Sequence, residues 1–87
     1  MLFFVYILYS NSLNKYYIGS TEDLSRRLEE HNRGKGNFTR KGIPWTLVYK
    51  EKFPTKSEAT KREQAIKNRK SKKYIEQLIA GSKHPVL

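Results

Sequence analysis

The run "FFVYILYS", residues 3–10, constrains the fold more than any other part of the chain. It is apolar at odd and at even positions alike. A strand patterned this way must be covered on both faces, which places it centrally in its sheet. The run is far too short to span a bilayer, and it lacks the basic leader and small-residue cleavage site of a signal peptide. With 87 residues, the chain can build one domain with one modest core. It has no cysteine, so neither disulfides nor thiolate metal sites can staple it. That usage fits a cytoplasmic location.

The remaining elements follow from turn and cap signals. The first strand is Phe3–Tyr9. "SNSLNK" is a polar turn, and Tyr16–Gly19 forms a second, short strand, the pair making a hairpin. In "STEDLSRRLEEHNRGKG", Ser20 or Thr21 can cap a helix. Glu22 and Asp23 suit its positive end, Leu24 and Leu28 mark a buried stripe, and Gly34 supplies a stop. A basic, glycine-rich loop, "GKGNFTRKGI", precedes a third strand, "PWTLVYKEKF". Thr55 and Glu58 match a capping box for a second helix. Ser71 can cap a third, "KKYIEQLIA", which Gly81 ends. The order is ββαβαα. The expected fold class is α+β, a small three-stranded antiparallel sheet flanked by helices. Residues 1–81 form the domain and 82–87 a loose tail.

Formal net charge is +10, and it is unevenly spread. Residues 1–30 carry a net −1, whereas residues 31–87 carry +11. Such asymmetry points to a polyanionic partner, most often nucleic acid, although a solvated basic surface kept for solubility explains it too. Candidate phosphate contacts are Arg33, Lys35, Arg40 and Lys41 around the loop, and Lys61, Lys67, Arg69 and Lys70 in "KREQAIKNRKSKK". Phe38 and Trp45 can stack on bases or serve the core.

Some residues sit where a core would not choose them. Leu24, Arg27, Leu28 and His31 share one helical face, so Arg27 and His31 border the buried stripe while Glu30 points elsewhere. Ala59, Glu63 and Ile66 share another. An acid in an apolar stripe is paired or binds a cation. The plain reading is a salt bridge to Arg27 or Arg62; the functional one is a ligand for a hard divalent ion. His31 and His84 are far apart and offer no zinc pair.

At this point the residues resemble a family. "VYI" (Val5 to Ile7) and "YIG" (Tyr17 to Gly19), followed by Arg27, His31 and Glu63 in that order, resemble the GIY-YIG nuclease superfamily, closest to its short, stand-alone bacterial members. The likeness runs to about residue 80. It departs from the pattern at Phe4, where glycine is usual, and Asn68 lies too close to Glu63 to be the family's downstream asparagine. The resemblance implies a metal-dependent phosphodiesterase site on one face of the sheet. Tyr6 would activate or orient water with Tyr17 as partner, its pKa lowered by Arg27 and a metal. Arg27 would hold the phosphate, Glu63 one Mg²⁺ or Mn²⁺ ion, and His31 the attacking group or phosphate. Gly19 would let a helix end approach closely. The expected partner is nucleic acid, DNA first, with no membrane and no small-molecule cofactor. No appended module to select a site is expected. The rival is a non-catalytic nucleic-acid binder that keeps the fold; a protein-interaction module has nothing specific behind it.

Overall fold

The computed structural model describes residues 2–34 and 39–81. Lys35, Gly36 and Phe38 of the basic loop, and the tail 82–87 with His84, lie outside the described residues. The elements are β1 (Phe3–Ser10), β2 (Lys15–Thr21), α1 (Leu24–Asn32), a 3₁₀ turn (Thr39–Gly42), β3 (Trp45–Phe53), α2 (Lys56–Arg69) and α3 (Lys72–Gly81). The sheet is antiparallel with order β2-β1-β3, so the doubly apolar strand is the central one. The α+β class and the order ββαβαα stand as expected.

Each face of β1 is covered by a different layer. Val5 and Ile7 pack with Ala59, Ile66 and Ile75 beneath α2 and α3. Tyr6 and Leu8 pack with Trp45 beneath α1, whose Leu24 and Leu28 close over them. Val5, Ile7 and Leu8 are fully buried, each such side chain contributing about 1.5–3 kcal/mol relative to exposure. Against β3 the register shifts between Ile7 and Leu8, and Val48 is the extra residue. That bulge lets Val48 and Tyr49, adjacent in sequence, both pack on the α2 side.

Local chemistry sets the helix ends, with one difference from expectation. The cap of α1 is Asp23, whose side chain accepts from the Arg26 amide at 3.0 Å. Ser20 and Thr21 cannot serve, because β2 runs longer than expected and keeps both paired, with Val5 and Phe4. Gly34 follows the last turn of α1 with φ +80°, a conformation glycine adopts without penalty. Thr55 caps α2, accepting from the Glu58 amide at 3.2 Å and donating to its carboxylate at 2.9 Å. Ser71 accepts from the Tyr74 amide at 3.0 Å at the start of α3.

Polar ties lock the layers together. The Asn32 side chain brackets Trp45, accepting from its amide at 2.6 Å and donating to its carbonyl at 3.1 Å. Arg62 donates to both Glu51 oxygens, at 2.9 and 3.1 Å, and Tyr49 donates to the same carboxylate. Burial alone would raise the Glu51 carboxyl; the bonds from Arg62 and Tyr49 outweigh it and hold the pKa below its ordinary value. Arg62 therefore clamps β3 to α2 and is not the partner of Glu63. Among the described residues no helix is long and apolar enough to cross a membrane.

Candidate active site

The site grows from one pairing in the sheet. Tyr6 stands opposite Gly19, and the Tyr6 ring leans across the position where Gly19 has no side chain. A Cβ added there would lie 2.5 Å from the Tyr6 hydroxyl oxygen. Gly19 thus makes room for a tyrosine ring, rather than for a helix end as expected. Tyr17 shares the α1 face, its ring centroid 6.3 Å from that of Tyr6 and 4.8 Å, edge-on, from His31.

Helix α1 delivers Arg27 and His31 over these rings. His31 is 3% exposed and engaged at both nitrogens: Nε2 lies 3.1 Å from the Tyr6 hydroxyl and Nδ1 3.1 Å from Thr39 Oγ1. Burial pushes His31 below its usual pKa of 6.5, and the Arg27 charge adds to this, so the ring is neutral at pH 7. Arg27 stays part-exposed and pairs with Glu30 at 2.9 Å, so Glu30 turns toward Arg27 instead of away. The guanidinium also faces Tyr6.

Tyr6 departs from its expected electrostatics. Only 1% of it is exposed, and burial pushes its pKa up to about 12. Arg27 does pull the value down, but desolvation is the larger effect, and the Tyr17 and Glu63 charges oppose Arg27 as well. Tyr6 is a neutral hydroxyl at physiological pH, sealed from solvent.

Glu63 comes from the other layer. Ser20 pairs with Val5 and so faces α2. Its hydroxyl donates to Glu63 Oε1 at 2.6 Å, while Lys67 Nζ lies 2.6 Å from Oε2. The ion-pair partner is Lys67, one turn on, not Arg27 or Arg62. The carboxylate charge still reaches the Tyr6 hydroxyl. Tyr6, Tyr17 and Arg27 therefore lie on the α1 side of β2 and Glu63 on its α2 side, so the four do not converge on one face as expected, and Glu63 reaches the Tyr6 hydroxyl through its charge. Tyr17, Arg27 and Glu63 are only partly buried there, whereas Tyr6 and His31 lie behind them.

The basic residues divide between the layers. Arg33, Arg40 and Lys41 are exposed at the end of α1 and on the 3₁₀ turn; Arg33 pairs with Glu29 at 3.2 Å and Arg40 donates to the Gly34 carbonyl at 3.3 Å. Lys61, Lys67 and Arg69 are exposed on α2 and Lys70 at its C-cap, Arg69 lying 4.1 Å over the Tyr74 ring. Trp45 is core, its Nε1 donating to the Thr39 carbonyl at 2.6 Å. Sequence reasoning missed Ser20 and Lys67 as partners of Glu63 and Thr39 as the partner of His31. Ser20 had a signal: it follows a strand glycine on the face opposite Tyr17.

No group of three or more acidic, histidine or cysteine side chains gathers among the described residues. A closed, all-protein cation cage is therefore not built there. A single carboxylate such as Glu63 does fit Mg²⁺ or Mn²⁺ chemistry, since such ions keep waters and take one or two carboxylates plus substrate oxygens.

Known proteins resemble this chain in sequence and fold. The GIY-YIG catalytic domain matches residues 2–75. A UPF0213 protein of Bacillus velezensis is 42% identical over 78 residues, 85% of this chain and 78% of that protein. A UPF0213 protein of Staphylococcus aureus is 46% identical over 65 residues, 74% of this chain and 78% of that one. The solution NMR structure of a UPF0213 protein from Bacillus halodurans superposes with a TM-score of 0.62 at 37% identity, covering 99% of this chain and 90% of that chain. With the domain match spanning most of its length and relatives 42% and 46% identical, the chain belongs to the GIY-YIG family of nucleases.

Proposed function

We propose that the protein is a divalent-cation-dependent endonuclease that hydrolyses phosphodiester bonds in DNA, met in the cytoplasm, with residues 1–81 as its nuclease domain. The observation that carries this reading is Arg27 held beside the Tyr6 and Tyr17 pair on the α1 side of β2, with the Glu63 charge felt at the Tyr6 hydroxyl from the other face. Phosphodiester cleavage needs an aligned water, a neutralised phosphoryl group and a stabilised leaving oxygen. Arg27 presents a planar fork that suits two phosphate oxygens. Tyr17, the more exposed of the two tyrosines, holds the attacking water or a phosphoryl oxygen through its hydroxyl. Tyr6 and His31 act through the others as positioning residues. The neutral His31 ring and the Tyr6 hydroxyl share a hydrogen bond, which fixes Tyr6 beside Arg27. Glu63 would hold one Mg²⁺ or Mn²⁺, giving up Lys67. When bound, the cation supplies Lewis-acid stabilisation of the leaving oxygen.

A second reading has one specific observation in its favour. The Lys67 ammonium, 2.6 Å from Glu63, occupies the carboxylate as a cation would. A protein in which that pair never opens binds nucleic acid without cutting it. Plasmid nicking by purified protein decides between them: nicking that appears with Mg²⁺ or Mn²⁺ and stops in EDTA supports the nuclease. Binding of an unrelated duplex without nicking in either ion supports the binder. Duplex affinity in EDTA should fall with salt at a log–log slope of about −0.9 per phosphate contact.

A further inference from the structure

A second concavity lies on the α2 side of β2, beyond Glu63. Its volume is about 350 Å³, at the small end of the roughly 300–1,000 Å³ typical of ligand sites. The floor is apolar, built from Tyr16, Ile18, Ile66 and Ile75. The rim carries Lys15, Lys67, Lys70 and Lys72. An apolar floor ringed by cations complements a ligand with a flat apolar body and an anionic group. Lys67 belongs to this rim and also contacts Glu63, so one residue links the pocket to the candidate active site. The Ser71–Lys72 start of α3 opens onto it as well, adding a positive helix end to the lysine charges.

The backbone supplies an independent observation. Two residues other than glycine have positive φ among those described, Asn14 at +52° and Lys70 at +48°. Both line this pocket. Lys70 occupies the left-handed position that ends α2, where glycine is the favoured residue. A lysine held there against its preference points to a use for its ammonium. Asn14 fixes a second rim cation, its Oδ1 accepting from Lys72 Nζ at 3.2 Å and from the Tyr9 hydroxyl at 2.7 Å. No salt bridge among the described residues pairs Lys15 or Lys70.

We propose that this pocket receives one unpaired nucleotide of the strand being cut, its base on the Tyr16 and isoleucine floor and its phosphate at the Lys67–Lys70–Lys72 rim. The occupant rests on the nucleic-acid reading above. A paired base cannot enter, because its faces are covered by its stacked neighbours. The enzyme therefore prefers a duplex carrying an unpaired nucleotide over a perfect one.

The test is binding in EDTA, where no turnover is required, by fluorescence anisotropy. The probes are a duplex with one unpaired adenine, the same duplex with an abasic residue in its place, and the fully paired duplex. Wild type should bind the unpaired adenine about tenfold more tightly than the abasic site, a ratio within the range of one base–aromatic stack. Tyr16→Leu should bring that ratio close to one. Lys70→Gly should weaken binding to the bulged duplex while holding or raising the melting temperature, since glycine suits its backbone. An NMR titration with dAMP should shift the amides of Ile18, Ser71 and Ile75, and inorganic phosphate alone should not reproduce the pattern. Equal affinity for adenine and abasic probes, or Lys70→Gly binding like wild type, would overturn the proposal. Phosphate reproducing every dAMP shift would overturn it too, leaving a plain anion site. Failure of metal-dependent nicking alongside these expected binding results would remove the nuclease reading and leave the pocket assignment standing.

Discussion

Glu63→Gln separates a cation ligand from half of a structural ion pair. The substitution keeps the side chain's shape and one carbonyl-type acceptor. The amide oxygen of the variant can still accept from Ser20, so the bond now measured at 2.6 Å survives in neutral form. What is lost is the charge opposite Lys67. The Lys67 side chain is 43% exposed and turns to water when its partner is neutral. The stranded-charge cost of about 3–5 kcal/mol for a fully buried pair therefore does not apply. The expected loss is about 1 kcal/mol or less, the range of solvent-exposed pairs. For a domain of this size that lowers the melting temperature by no more than about 4–8 °C. Nicking in Mg²⁺ should collapse, while duplex binding in EDTA stays near wild type. Melts with and without Mg²⁺ add a second readout: any upward shift seen in wild type should vanish in the variant. A loss of about 3 kcal/mol or more, with nicking unchanged, would show that Glu63 works as a structural acid and leave its ligand role without support.

Gly19→Ala forces a Cβ to 2.5 Å from the Tyr6 oxygen and 2.7 Å from ring carbon Cζ. Melts should show about 1–3 kcal/mol of overpacking cost, and nicking measured well below the melting temperature should fall as well. Glu51→Gln strips the clamp between β3 and α2, where the Arg62 and Glu51 side chains are 30% and 21% exposed. Stability in urea should drop by about 1–3 kcal/mol with nicking at low temperature unchanged. The two shifted site residues act at opposite ends of the pH scale. The folded pKa of His31 is depressed, so the unfolded chain takes up its proton first as pH falls. Stability from the neutral ring is whole above about pH 6.5 and declines below it until the folded ring titrates as well. For Tyr6 the folded value is raised to about 12, so its contribution is whole below pH 10 and is lost between pH 10 and 12. Urea midpoints measured across pH check both limbs, and a flat acid limb would contradict a buried, neutral His31.

The fold was legible because its signals were local and agreed with one another. Two apolar periodicities overlapping in one run can be satisfied only by a central strand, and β1 is that strand. Thr55 with Glu58, and Ser71 with the helix that follows it, carry their instructions within four residues. The errors arose where a local choice depended on a distant partner. Ser20 and Thr21 are good caps in isolation. The register with Val5 and Phe4 keeps them in the ladder, and the cap passes to Asp23. The bulge at Val48 has no marker of its own, since it answers to the packing of α2 and α3 against β3.

The gathering of Tyr6, Tyr17, Arg27 and His31 on the α1 side was legible, the face taken by Glu63 was not, and the electrostatics were misread for a related reason. Helical spacing places Arg27 beside the tyrosines, and a cation beside a phenol lowers its pKa; both steps follow from the sequence. Desolvation has no such address. It sums over every group that closes on the Tyr6 ring, including Trp45, Leu24 and Leu28 from separate elements. At Tyr6 that sum outweighs the one arginine and leaves the hydroxyl neutral. The consequence reaches the chemistry. Two tyrosines on one face look equivalent in the sequence, but the pairing with Gly19 draws Tyr6 inward over β2 while Tyr17 stays on the edge strand, part-exposed. On the proposed function, contact with substrate then falls to Tyr17, while Tyr6, hydrogen-bonded to His31, holds the Arg27 side of the site in place. Removal of the Tyr6 hydroxyl should accordingly cost stability and activity together, and removal of the Tyr17 hydroxyl should cost activity.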